Sequence, residues 1–190
     1  GLDIKYIEDD SCYVEIEADK ALNAKVSTEV TDGILNIALL QTSFDGNIFE
    51  TDDKAQDDRT ITFHGMKNAI DKTLDDDIKV IVHAPYLNEI QSHGTIDFEA
   101  YKVKSQGEFY LRVSGKSDTK IKRLESRKVE LSTSGLSDIE VGIYNADTVG
   151  IKSSGKSDLD IIFQNCGTAY IQASGACDAE LKGSVRNLTK

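Results

Sequence analysis

Four short strings return at a fixed interval: "SGKSD" at 114–118, "SGLSD" at 134–138, "SGKSD" at 154–158 and "SGACD" at 174–178. A chain that comes back to the same five residues every 20 positions has few folds open to it. Written in rows of 20, Phe109, Val129, Val149 and Ala169 share one column, and Leu111, Leu131, Ile151 and Ile171 share another. Ile121, Val141, Ile161 and Leu181 form a third, with Thr119, Ile139, Leu159 and Ala179 two residues before it. A spacing of two within each row is the strand period. Fixed periods of this kind indicate solenoids, propellers or arrays. Twenty residues are too few for a four-stranded blade, the helical spacing is absent, and so is the leucine-rich LxxLxL signature. The remaining fold class is all-β: a single-stranded parallel β-helix, each row one coil, with equivalent residues stacked about 4.8 Å apart. A right-handed coil is expected.

Each residue of the corner then has a physical task. Gly115, Gly135, Gly155 and Gly175 allow positive φ where a side chain would clash. Ser114, Ser134, Ser154 and Ser174, with Asp118, Asp138, Asp158 and Asp178, are able to bond nearby backbone groups in local turns. The aspartate column raises an electrostatic problem. Unit charges ~4.8 Å apart repel by about 0.9 kcal/mol in water and ~3.5 kcal/mol at an effective dielectric of 20. Such a column must be exposed, hydrogen-bonded or neutralised, and Lys116, Lys120 and Lys156 stand close enough in sequence to compensate it.

Charge divides the chain. Residues 1–80 carry 19 acidic and 8 basic side chains, whereas residues 81–190 carry 14 of each. The expected organisation is one continuous solenoid domain over 1–190. Acidic N-terminal coils occupy 1–80 with an insertion at 41–77, and the regular array fills 81–190. Nothing in this balance favours nucleic acid. No apolar run reaches the ~20 residues of a membrane span, and "GLDIKYIEDD" lacks the pattern of a signal peptide. The segments "SCYVEIEA", "AKVSTEV" and "GILNIALL" read as strands, the last opened by an Asp32-Gly33 turn. "DIKVIVHAPYL" reads as a strand ending at Pro85. "FETDDKAQDD" reads as a long acidic loop and "MKNAIDKTL" as a short helix. Ser92-His93-Gly94 stands near the place of a corner, but Gly94 lies 21 residues before Gly115, one out of step.

The segments "TEVTDGILNIAL" and "IKVIVHAPYLNEIQSHGTIDF", followed by the serial SGxSD corners, resemble the head GIN domain family of autotransporter adhesins. That family occurs in secreted or surface-exposed proteins of Bacteroidetes and other bacteria, and the likeness covers most of the chain. It implies a β-helical, extracytoplasmic protein, located in the periplasm, on the outer membrane surface or outside the cell. It supplies no catalytic residues. The acidic stretch at 41–77 and the cysteine at 177, where earlier rows have Ser117, Ser137 and Ser157, depart from its pattern.

Individual side chains add little chemistry. His64, His83 and His93 read as surface or corner histidines without catalytic partners. The aspartate column has the ~5 Å separation of retaining glycosidase carboxylates, but any stacked aspartate file has it too. Asp52, Asp53, Asp57 and Asp58 are the best calcium candidates as hard oxygen ligands, though without EF-hand spacing, and the segment reads better as a solvated loop. Three cysteines without CxxC spacing give neither a disulfide framework nor a zinc site, and Cys177 reads as a serine substitute. Tyrosines form no continuous 20-residue column, so an aromatic track for polysaccharide is not expected. The reading is therefore a non-enzymatic surface scaffold without cofactors, binding a protein or glycan, with homo-oligomerisation open. A β-helix polysaccharide lyase or hydrolase is the alternative, by fold analogy.

Overall fold

A computed structural model describes residues 2–17, 26–31, 33–39, 60–64 and 78–190. Its elements are all strands: β1 Leu2–Glu8, β2 Tyr13–Glu17, β3 Val26–Thr31, β4 Ile34–Leu39, β5 Thr60–His64, β6 Ile78–Ala84, β7 Glu89–Lys104, β8 Glu108–Glu125, β9 Lys128–Tyr144 and β10 Thr148–Thr189. Strands β7, β8 and β9 are each one coil of a parallel solenoid, and β10 winds through two. The corner glycines bend these strands without interrupting them. Gly94, Gly115, Gly135 and Gly155 pair in register from coil to coil, and the ladder continues on both sides of them.

Register accounts for the row that looked out of step. Gly94 pairs with Gly115, so the first coil is one residue longer. Between Ile121 and Leu124 the register slips by one against β9, a bulge that gives β8 an extra residue. After β8 the connection is only residues 126–127, against 105–107 and 145–147 after β7 and β9. In the second coil the longer strand and the shorter connection cancel, which preserves the 20-residue period. A second corner lies at Asn145 and Asn165, with φ of 57° and 55°. Asparagine tolerates this left-handed region, and Asn165 Nδ2 donates to Asn145 Oδ1 at 2.9 Å.

The N-terminal strands close one end of the stack. β1 runs parallel between β6 and β7, and β2 adds antiparallel to the far side of β6. β3 and β4 form an antiparallel hairpin around Gly33, whose φ is 80°. β5 joins β4 to β7 in parallel. The stretch at 41–77 is thus not all insertion, because "TITFH" alternates as a strand and takes a place in the sheet. "MKNAIDKTL" and most of the acidic loop lie outside the described residues.

Inward columns make a continuous core through the coils, from Leu2, Ile4 and Tyr6 through Phe109, Leu111 and Ile121 to Val149, Leu159 and Ile161. Beneath the glycine corner the core turns polar. Ser92, Ser117, Thr133, Ser137, Ser153 and Ser157 are all buried. Thr133 Oγ1 donates to Ser153 Oγ at 3.1 Å, Ser92 and Ser117 share a bond of 3.1 Å, and Ser137 Oγ has no hydrogen-bond partner among the described residues.

Candidate functional site

The corner motif sends its residues in different directions. Ser117, Ser137 and Ser157 point inward, while the aspartates one position later point out and are exposed. The leading serines tie one coil to the next, because Ser114 Oγ donates to Ser92 O, Ser154 Oγ to Thr133 O and Ser174 Oγ to Ser153 O, each at 3.3 Å. This differs from a local turn bond: the acceptor belongs to the neighbouring coil. The glycines are needed twice over. Gly115, Gly135, Gly155 and Gly175 have φ of 105°, 105°, 103° and 92°, and a Cβ on any of them would lie 2.4–2.6 Å from the carbonyl oxygen of the glycine in the preceding coil.

Just past the corner the strands line a concave groove of about 1270 Å³. Its first row is Asp3, Asp97, Asp118, Asp138 and Asp158, paired in register across β1, β7, β8, β9 and β10, with Asp178 one coil further along. Its second row, two residues on, is Lys5, Glu99, Lys120, Glu140, Asp160 and Glu180. The two rows differ in their partners. In the second row Lys120 Nζ bonds Glu140 Oε2 at 2.6 Å, and Lys182 reaches Glu180 at 3.0 Å and Asp160 at 3.7 Å. In the first row, none of Asp97, Asp118, Asp138, Asp158 and Asp178 makes an ion pair among the described residues.

The compensation expected from Lys116, Lys120 and Lys156 is therefore largely missing. Lys120 is engaged by Glu140, while Lys116 and Lys156 stand exposed on the outside of the corner. The consequence is visible at the middle of the row. Partial burial, then the neighbouring charges of Asp97 and Asp138, push the Asp118 carboxyl above its ordinary value, against a smaller opposing pull from Lys116.

Outside the groove lining, two residues beyond Lys5 and Glu99 on the same strands, stands a row of rings. Tyr13 stacks on His83 with centroids 4.0 Å apart and planes 10° from parallel. His83 Nδ1 lies 3.3 Å from Asp9 Oδ2, and the imidazole is buried, not a surface group. Asp9 is held below its ordinary value, chiefly by the Ser11 amide and in part by His83. Burial, then Asp9 and Glu15, raises the Tyr13 phenol. Tyr101 on β7 is 75% exposed, with Lys122 Nζ 5.9 Å from its ring. Tyr13, His83 and Ile7 lie side by side through the β2–β6–β1 register, and Tyr101 stands one step beyond the Tyr6–Ala100 pair of β1 and β7.

A row alignment misses this cluster because β1, β2 and β6 do not belong to the 20-residue array. The alternation Leu2, Ile4, Tyr6 was the available signal for β1. Of the other candidates, His93 sits on the corner with Nδ1 2.5 Å from Ser114 Oγ, and the His64 side chain is outside the described residues. Asp52, Asp53, Asp57 and Asp58 lie outside them as well. Of the cysteines, Cys12 is exposed, Cys166 buried, and Cys177 half-buried in the inward serine column.

A family model described as "Putative auto-transporter adhesin, head GIN domain" matches residues 1–186. No curated protein matches the chain.

Proposed function

Because the chain belongs to the head GIN domain family of auto-transporter adhesins, we propose that it is a non-enzymatic scaffold of the cell envelope or surface that holds a partner against its concave acidic face. One observation carries this reading. Lysines pair with Glu140, Asp160 and Glu180 of the second row, whereas five carboxylates of the first make no ion pair among the described residues. Packing like charges at strand spacing costs stability, and a partner that supplies positive charge or hydrogen-bond donors would recover it. The test compares the chain with an Asp118→Asn, Asp138→Asn, Asp158→Asn variant, each immobilised and exposed to purified envelope polysaccharides and envelope proteins. The reading expects a bound component that the variant loses. Capture unchanged in the variant would remove the groove from the account.

One feature also serves the lyase or hydrolase alternative. Asp118, raised above its ordinary value by partial burial and by the carboxylates of Asp97 and Asp138, is the candidate general acid. Cleavage of a polysaccharide that disappears in Asp138→Ala would move the site from binding to catalysis.

A further inference from the structure

Beside the groove, the outward row of Tyr13, His83, Ile7 and Tyr101 is the surface whose chemistry points to one kind of occupant. We propose that Tyr101 and the Tyr13–His83 stack are stacking platforms for a glycan built of neutral or amino sugars, lying across β2, β6, β1 and β7. This inference deepens the binding reading above and rests on it.

Three observations carry it. The rings are accessible, Tyr101 being 75% and Tyr13 43% exposed, and one face of Tyr13 is held against the buried imidazole beside it. They stand three strand spacings apart, ~14 Å, a span that a tri- or tetrasaccharide covers, with Ile7 as an apolar floor between them. Two residues along the same strands, on the same outward face, stand Glu15, Lys5 and Glu99, followed by Glu17, Lys79, Asp3 and Asp97. A pyranose offers one C–H face and a rim of hydroxyls, so an amphipathic ring beside acceptor carboxylates matches both halves of it. A basic peptide would be served by the aspartate row alone and gives no reason for the rings. The row also excludes acidic sugars, whose carboxylates would meet like charge.

The test uses four probes on the whole chain, followed by calorimetry and ligand-observed NMR: chitotetraose, its de-N-acetylated glucosamine tetramer, tetragalacturonate and deca-lysine. Binding of at least one of the first two is expected, and none of tetragalacturonate. Tyr101→Ala should weaken that binding about fivefold, the scale of one aromatic contact, whereas Tyr101→Phe should retain it. Because Tyr101 is exposed, both variants should keep the parent melting temperature. Failure of both neutral and amino tetramers, or binding indifferent to Tyr101→Ala and Tyr13→Ala, overturns the glycan assignment. Deca-lysine bound through the aspartate row but not the tyrosines also overturns it, while leaving the acidic face as the binding surface.

Discussion

Gly135→Ala should be among the most damaging single-methyl changes in the chain, because it offends the corner in two separable ways. Its φ of 105° lies where an L side chain is strained, at a cost of order 1–3 kcal/mol. The new Cβ would also stand 2.4 Å from Gly115 O and 3.0 Å from Gly115 N. Both are backbone atoms fixed in the ladder, and parting two coils to relieve such a contact costs about 1–3 kcal/mol more. A combined loss of about 4 kcal/mol corresponds to roughly 8–16 °C in melting temperature for a domain of this size. Thermal and urea unfolding followed by circular dichroism would measure it, with exposed Lys156→Ala as a control that should stay within about 0.5 kcal/mol. Gly135→Asn separates the two causes: asparagine tolerates positive φ, yet its Cβ meets the same carbonyl, so it should remain clearly destabilised. If Gly135→Ala melts within 2–3 °C of the parent, about 1 kcal/mol on the same scale, the stacked corner is not built this way.

Other outcomes follow from the same geometry. Asp118→Asn should raise the melting temperature at pH 7 by the equivalent of ~1 kcal/mol, the repulsion of neighbouring charges in water. The folded carboxyl is raised, so stability falls as pH climbs from the ordinary carboxylate value through the folded one. The advantage of the variant should therefore vanish at pH 3. Ser137→Ala should be neutral or mildly stabilising, since its buried hydroxyl has no partner among the described residues, whereas Thr133→Val should cost about 1 kcal/mol through the lost bond to Ser153. Asn165→Ala should cost about 1–2 kcal/mol at the second corner and Asn165→Gly less, both readable by urea titration.

The coils were legible in the sequence because their information is local and repeated. Phe109, Leu111 and Ile121 alternate inward, and every copy of the corner needs the same glycine for the same steric reason. Where the repeat is compensated, the sequence misleads: the bulge before Leu124 and the short 126–127 connection cancel in the count, and Gly94 looks misplaced although it pairs with Gly115. The second corner was hidden because asparagine, not glycine, makes it. The groove was only half legible. The aspartate column is plain in the rows, but whether Lys120 turns toward Asp118 or Glu140 depends on side-chain placement, and it pairs with Glu140. The rings at the N-terminal end could not be read from rows at all, since Tyr13, His83 and Tyr101 are brought onto one line by parallel and antiparallel pairings outside the repeat.

The recurring corner sets five carboxylates, without ion pairs among the described residues, in a coupled row on a concave face. Carboxyl carbon NMR across a pH titration tests this residue by residue. Asp118 should titrate above the ordinary aspartate value, and its midpoint should move back down in Asp97→Asn and again in Asp138→Asn, with part of the elevation left by burial. An Asp118 that titrates at the ordinary value and ignores both substitutions would contradict the row, and the binding face built on it.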